Sequence, residues 1–241
     1  MSTPSPLFYQ NIVPLNANTH KNLYLDTSGD FKFAKKTNSV YIAHVEFLKA
    51  SKEYPIVFAM DKEKAIYPVV LLGLDKDQNL FVDSKGKWSA NYIPAYVRRY
   101  PFILASNPGG DGNFTICIDD KFAGLNTSKK GEKLFDKEGA HTEQLKRSIE
   151  FLKEYNRHTQ VTTAFCIKLK ELNILEPMKL SMKTNEGKEI SMGGFSGINR
   201  KKFKQLPAET VAELFKNDYL ELMYLHLASL SNVETLMQRL D

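Results

Sequence analysis

The first half of the chain carries short runs of consecutive apolar residues that are bounded by charged and turn-forming residues. Tyr54–Met60 and Pro68–Leu74 are the clearest of these runs. Unbroken apolar runs of this length are typical of strands buried on both faces of a sheet. Further strands are predicted at Val40–Ala43, at Asn79–Asp83 and on both sides of the turn cluster Asn107–Asn113. The pattern therefore predicts a strand-rich first half.

The second half changes to a helical period. Apolar residues recur three or four positions apart from Leu145 to Tyr155 and again from Phe165 to Leu172, on either side of a polar, threonine-rich middle. This pattern predicts one long amphipathic helix, and a kink near His158–Thr163 is left open. Thr142 stands where a threonine can cap the helix N-terminus, because its hydroxyl can accept from a backbone N–H of the first turn. A further helix is predicted from Pro207, and the C-terminus is predicted to be helical.

A hairpin separates these helical regions. Leu175–Met182 and Glu189–Phe195 are predicted as its two strands, with Glu186-Gly187 in the turn. Together the elements predict an α+β fold. It has a mixed or antiparallel sheet in the first half, and a long helix and a helical C-terminal part pack on that sheet.

The N-terminal segment has a different character from the remainder of the chain. Residues 1–21 hold three prolines and little periodicity, which predicts an extended arm. No linker-like stretch divides the rest, so residues 22–241 are predicted to form a single domain.

Composition excludes several classes of protein. Of 241 residues, 42% are apolar and 25% are charged, which is typical of globular proteins and excludes wholesale disorder. Lys and Arg exceed Asp and Glu by 33 to 28, for a net charge of +5. Because this excess is mild and spread along the chain, no nucleic-acid partner is predicted.

The sequence carries no pattern typical of membrane insertion or export. No apolar run approaches the roughly 20 residues that a membrane-spanning helix needs, and no basic segment followed by an apolar stretch opens the chain. A soluble, cytoplasmic protein is therefore expected. The two cysteines, Cys117 and Cys166, are interpreted as buried thiols in a reducing compartment. Since neither forms a CxxC pair, no structural zinc site is predicted.

The segment Trp88–Phe102 is the strongest candidate for ligand or partner contacts. It concentrates aromatic side chains around two adjacent arginines, and the candidate binding residues are Trp88, Tyr92, Tyr96, Arg98, Arg99 and Tyr100. Arginine offers a planar fork for a carboxylate or phosphate, and aromatic rings offer stacking surface. In the alternative interpretation, the aromatic residues belong to the core and the arginines pair with nearby acids.

Catalytic candidates are weaker, because the common catalytic motifs are absent. His44 and Glu46 lie two positions apart. On a strand they would share one face, but on the short helix predicted at His44–Glu53 they would not face each other. No third ligand stands near them, so no metal site is predicted, and no cofactor either. His226 lies in an apolar segment and is more typical of a core histidine than of a proton-transfer group.

Several stretches resemble the SapC family of bacterial proteins. The most specific is Tyr92–Phe102, and the others include Tyr54–Phe58, Leu72–Leu74, Asn79–Asp83, Gly86–Trp88, Leu175–Pro177 and His226–Leu230. An aspartate–glycine turn usual in the family stands here as Glu186-Gly187. The resemblance implies an association with bacterial surface-layer systems. It supplies no established reaction and no catalytic residues.

The sequence is compatible with two classes of function. The first is a soluble, non-catalytic accessory or binding protein of a surface-layer or export-related system, whose partner is a protein or a small anionic or peptide-like ligand. The second is an enzyme or ligand-sensing regulator that acts on an amino-acid or peptide-like substrate. The enzyme hypothesis predicts one closed pocket in which His44, Glu46, His226 and an arginine converge. The binding-protein hypothesis does not require such a pocket.

Overall fold

A computed structural model of the chain describes residues 6–106, 114–183, 187 and 189–240. Within this part the architecture is α+β, as the sequence predicts. The helices are α1 (Ala17–His20), α2 (Phe47–Ala50), α3 (Ala95–Arg98), α4 (Glu143–Glu171), α5 (Arg200–Lys204), α6 (Ala208–Lys216), α7 (Tyr219–Ser229) and α8 (Asn232–Gln238). The strands are β1 (Ile12–Pro14), β2 (Tyr24–Leu25), β3 (Ser39–Tyr41), β4 (Ile56–Met60), β5 (Ile66–Leu71), β6 (Phe102–Ser106), β7 (Phe114–Asp119), β8 (Leu125–Asn126), β9 (Glu132–Lys133), β10 (Leu175–Lys183) and β11 (Glu189–Ile198).

The largest sheet has five antiparallel strands in the order β10-β11-β4-β5-β3. Its centre is formed by the two apolar runs of the first half, which pair with Ile56 opposite Val70. Ile56, Val57 and Val70 are fully buried, because helices and loops cover both faces of these strands. The prediction that both runs form buried strands is confirmed.

Two smaller sheets complete the strand-rich half. They have the orders β1-β7-β6 and β8-β2-β9, and all their pairings are antiparallel. A second hydrophobic cluster, which includes Ile118, Leu134, Phe135 and Leu145, lies beneath them. Val13, in the segment predicted as an N-terminal arm, pairs with Ile118 of β7.

Helix α4 joins the two hydrophobic clusters. Thr142 caps it as predicted, because its hydroxyl accepts from the Leu145 N–H at 3.4 Å. Near its start, Leu145 and Leu152 belong to the smaller cluster, whereas Phe165 and Leu169 near its end belong to the main core. The middle of α4 therefore spans the region between the two clusters.

One predicted strand is wrong. Asn79–Asp83 forms turns and one isolated bridge, Val82 with Trp88, instead of a paired strand. The buried Asn79 side chain accepts from the Phe81 N–H and donates to the Ala34 carbonyl. These bonds hold the backbone in a local turn that competes with strand pairing.

The hairpin of β10 and β11 is confirmed, and it contains a bulge. Met178 pairs with Phe195 but Leu180 pairs with Met192, so Gly193 and Gly194 oppose a single residue. Gly194 has φ +89°, a backbone conformation that favours glycine. The predicted turns at Asn107–Asn113 and at Glu186 lie outside the described residues.

Both cysteines are buried and unpaired, and burial raises the pKa of the Cys166 thiol to about 12. Over the described ranges, no helix is both long enough and apolar enough to cross a bilayer.

Candidate functional site

The short helix α3 and its C-cap residue carry the two adjacent arginines, and a proline stands at the start of the helix. Pro94 is its N-cap residue, and the Val97 and Arg98 N–H groups bond back to the Pro94 carbonyl. Proline favours the start of a helix because it has no N–H to leave unsatisfied. Arg98 ends the helix and Arg99 is its C-cap, so both guanidinium groups leave the same turn towards α4.

The carboxylate of Glu46 holds the start of α3 in place. Oε1 accepts from the Ala95 N–H at 2.7 Å and from the Tyr92 hydroxyl at 2.8 Å. Oε2 accepts from the Ala43 N–H at 2.7 Å. The side chain is almost wholly buried, and this burial raises the pKa of the Glu46 carboxyl while the three donors and Arg98 oppose that rise. With all three donors engaged, Glu46 acts as a structural anchor of the arginine segment.

The Arg99 guanidinium lies among tyrosine rings. Its central carbon is 4.0 Å from the centroid of Tyr96, 5.1 Å from Tyr155 and 5.8 Å from Tyr9. Its Nε is buried and has no hydrogen-bond partner. Throughout the described part of the chain, no acidic oxygen lies within 4.0 Å of Arg99. The side chain is thus stabilised by cation–π contacts and by its interaction with the Tyr9 hydroxyl, and not by an ion pair with a described acidic residue.

Arg98 is more exposed and is also without an ion pair among the described residues. Its Nε donates to the Ile93 carbonyl at 2.9 Å. The guanidinium carbon lies 5.0 Å from the ring centroid of Phe151 and 5.8 Å from that of Tyr92. The guanidinium also lies within hydrogen-bond reach of the Tyr92 hydroxyl.

Three cavities surround these two arginines along α4. The arginine cavity, of about 220 Å³, is lined by Arg98, Arg99, Phe102, Arg147, Ser148 and Phe151. The tyrosine cavity, of about 280 Å³, is lined by two leucines together with Tyr41, Arg99, Tyr155, Asn156, Thr159 and Thr163. The acid-lined cavity, of about 300 Å³, includes Glu46, Lys49, Tyr92, Arg98, Glu154 and His158.

The SapC family model matches residues 15–236, a range that contains α3, α4 and all three cavities. The chain belongs to the SapC family. No curated protein and no solved structure matches the chain.

In this SapC-family protein, two of the predicted contact residues lie in the core. Trp88 is buried and its Nε1 donates to the Tyr54 hydroxyl at 2.9 Å. Tyr100 is buried too, and its hydroxyl donates to Asp119 Oδ2 at 3.0 Å. Tyr92 and Tyr96 are half-buried beside the arginines. The segment therefore divides into a core-facing side and an arginine-bearing side.

The three catalytic candidates of the SapC chain do not meet in one cavity. His226 is fully buried, where Nδ1 donates to the Ile56 carbonyl at 2.8 Å and Nε2 accepts from the Ile198 N–H at 3.0 Å. Burial lowers the pKa of His226 to about 4. His44 lies beside α4, where Nδ1 is 3.2 Å from the His158 carbonyl, and its partial burial lowers its pKa. Glu46 lines the acid-lined cavity, whereas neither His44 nor His226 lines it.

Several residues of the SapC site come from α4, and the sequence interpretation did not single them out. Arg147, Phe151 and Tyr155 lie four positions apart, which places them on one helix face. The four-residue spacing is the sequence pattern that could have indicated these residues. The same spacing is common on helix faces that only pack against the core, so it does not by itself indicate a site. Over the described ranges, no group of three or more His, Cys, Asp or Glu residues could hold a metal ion.

Proposed function

We propose that this protein binds an anionic group of a small ligand or protein partner at Arg98 and Arg99. The observation that carries the proposal is the Arg99 guanidinium, whose buried Nε has no hydrogen-bond partner. In the described part of the chain, no acidic oxygen approaches it within 4.0 Å. Guanidinium groups in such surroundings are stabilised by an anion.

The physical reason is the cost of an uncompensated charge. A partly buried cation loses hydration, and cation–π contacts with tyrosine rings restore only part of it. An incoming carboxylate or phosphate would form charge-assisted, bidentate hydrogen bonds with the guanidinium, which are among the strongest polar contacts in proteins. Two neighbouring arginines that lack ion pairs provide two such forks.

The same geometry favours binding over catalysis. An enzyme that uses His44, Glu46 and His226 for proton transfer needs these groups around one substrate. The fully buried His226 instead forms two hydrogen bonds with backbone groups of β4 and β11. Both oxygens of Glu46 are occupied by donors from the protein itself.

We place this binding role in a bacterial surface-layer or export-related system, as the accessory component that recognises a ligand or partner. The cytoplasm is the expected location. Fractionation of the source bacterium, followed by detection of the chain with an antibody, tests this placement. Recovery of the chain in the soluble cytoplasmic fraction supports it, and recovery at the cell surface contradicts it.

Replacement of Arg99 by lysine tests the binding function. Arg99→Lys keeps the positive charge but removes the planar fork. We expect binding of inorganic phosphate or of glutamate, measured by isothermal titration calorimetry, to weaken about tenfold. Arg98→Lys is expected to have a similar but smaller effect, because Arg98 is more exposed. The melting temperature of both variants is expected to remain near that of the wild type.

A matched control is Arg200→Lys, because Arg200 is an exposed arginine of α5 that lines none of the three cavities. Its substitution is expected to leave both affinity and melting temperature unchanged. If Arg98→Lys and Arg99→Lys instead lower the melting temperature and leave the affinity for both probes unchanged, the arginines only brace the fold and the proposal is wrong. Absence of binding to either probe also contradicts it.

A further inference from the structure

We infer that the anion is a phosphoryl group attached to a hydroxylated, sugar-like body. The phosphoryl group would occupy the arginine cavity, and the body would occupy the adjoining tyrosine cavity. This inference rests on the proposed function at Arg98 and Arg99, and it adds the chemical class of the ligand.

The arginine cavity favours a dianion over a carboxylate. Arg98, Arg99 and Arg147 all line it, and no acidic side chain from the described residues does. A carboxylate has two oxygens and one negative charge, which a single bidentate arginine can satisfy. A phosphoryl group has three oxygens and nearly two negative charges at neutral pH, so it can engage several guanidinium groups at once.

The existing partners of Arg147 leave it available. It lies 3.8 Å from Glu132 Oε2, and its Nη2 donates to Gln144 Oε1 at 3.2 Å. Both members of the ion pair are mostly exposed, with side-chain exposures of 70% and 63%. An exposed pair at this separation contributes little. The Arg147 side chain can therefore exchange Glu132 for a phosphoryl oxygen at small cost.

The tyrosine cavity has the polar groups that hydroxyls require. The Thr159 hydroxyl donates to the Asn156 carbonyl at 2.6 Å, and the Thr163 hydroxyl donates to the Thr159 carbonyl at 2.9 Å. Each threonine oxygen therefore keeps its acceptor capacity for a ligand O–H. The Asn156 side-chain amide offers both donors and an acceptor. A hydroxylated body can donate to the threonines and exchange bonds with the amide.

The remaining surface of this cavity is apolar, as the carbon face of a sugar requires. Leu104, Leu152 and Tyr155 supply it, and Arg99 lines both cavities. Arg99 would then contact the phosphoryl group from the side on which the body is attached. Each cavity alone, at about 280 and 220 Å³, is smaller than a typical ligand site, but the two together fall within the usual range of about 300–1,000 Å³.

Calorimetry with three probes tests the ligand class. Glucose, inorganic phosphate and glucose 6-phosphate separate the contribution of the body from that of the phosphoryl group. For the wild-type chain we expect glucose 6-phosphate to bind at least about tenfold more tightly than inorganic phosphate. Glucose alone is expected to bind more weakly than either, because it lacks the charge that the arginines recognise.

Two variants assign the two cavities. Arg147→Gln is expected to weaken inorganic phosphate and glucose 6-phosphate alike, by about five- to tenfold. Asn156→Ala is expected to weaken glucose 6-phosphate severalfold and to leave inorganic phosphate unchanged. Lys153→Gln is the matched control, because Lys153 is an exposed cation of α4 that lines neither cavity. It is expected to change neither affinity.

The outcomes separate this inference from the proposed function. If glutamate binds and Arg99→Lys weakens it while inorganic phosphate and glucose 6-phosphate do not bind, the anion site stands and the phosphoryl assignment is overturned. If glucose 6-phosphate binds no more tightly than inorganic phosphate, or Asn156→Ala weakens both equally, the sugar-like body is overturned. If no anion binds, the proposed function fails as well.

Discussion

Replacement of Glu46 by alanine is expected to lower the free energy of unfolding by about 3 kcal/mol or more, because it leaves donors without partners in a buried site. The Ala43 and Ala95 N–H groups both point at the Glu46 carboxylate, as does the Tyr92 hydroxyl. Each buried donor that loses its acceptor costs about 1–3 kcal/mol. Urea unfolding followed by circular dichroism measures the change.

The same substitution should also weaken anion binding, although Glu46 does not bind the anion itself. Its carboxylate fixes Tyr92 and Ala95, and these residues set the position of α3 and of the two arginines that follow. Glu46 is therefore a positioning residue. Glu46→Gln retains one carbonyl oxygen for Ala95 and Tyr92 but turns an NH₂ group towards the Ala43 N–H. We expect this variant to lose less stability and to keep most of the affinity for inorganic phosphate.

Glu53→Ala provides the matched control. Glu53 accepts from the Asn91 N–H at 2.8 Å and from the Tyr92 N–H at 2.9 Å, so it contacts the same segment from a half-exposed position. Water can replace its carboxylate, and the expected loss is about 1 kcal/mol. Equal losses for Glu46→Ala and Glu53→Ala would show that burial of the Glu46 site does not matter, which contradicts the prediction.

Acidification from pH 7 to pH 5 is expected to destabilise the protein by about 2 kcal/mol through His226 alone. Burial lowers the pKa of His226 to about 4 in the folded state, whereas an unfolded histidine has a pKa of about 6.5. Between these values the unfolded state binds the proton and the folded state does not. The stabilisation is complete above pH 6.5 and is lost as the pH falls towards 4.

A substitution without a titrating ring separates this effect from general acid sensitivity. His226→Gln is expected to be less stable than the wild type at pH 7, because it fits the Ile56 and Ile198 backbone groups less well. Its stability should depend less steeply on pH. His44→Asn is the control, since partial burial also lowers the pKa of His44 but at a half-exposed site. It is expected to remove a smaller part of the pH dependence.

Chemical denaturation at a series of pH values measures all three proteins. The interpretation fails if His226→Gln retains the full loss of stability between pH 7 and pH 5. The raised pKa of Glu46 acts in the opposite direction, since it favours the folded state as the pH falls. The pH dependence of the free energy of unfolding in the wild type is therefore the sum of the contributions of these groups. The difference between the wild type and His226→Gln gives the contribution of His226.

The amino-acid sequence by itself determined the secondary-structure elements that depend on residues close to one another in the chain. The buried strands β4 and β5 follow from unbroken apolar runs, because both faces of these strands are covered. Helix α4 follows from its helical period and from the Thr142 cap. The concentration of arginine and aromatic residues in Trp88–Phe102 also marked the segment that borders the cavities. These patterns need no knowledge of distant parts of the chain.

Only the tertiary structure decided which side of the segment Trp88–Phe102 is accessible to a ligand and which part of the chain packs beside that side. The core-facing position of Trp88 and Tyr100 depends on Tyr54 and Asp119, which are distant in sequence. The cavities exist because α4 joins two hydrophobic clusters and its middle passes Arg98 and Arg99.

Helical periodicity shows which residues share a face, but the partner of that face is set by packing across the whole domain. The same reason explains Asn79–Asp83, where the bond from a buried asparagine to the distant Ala34 carbonyl helps to hold a turn in a stretch whose pattern predicts a strand.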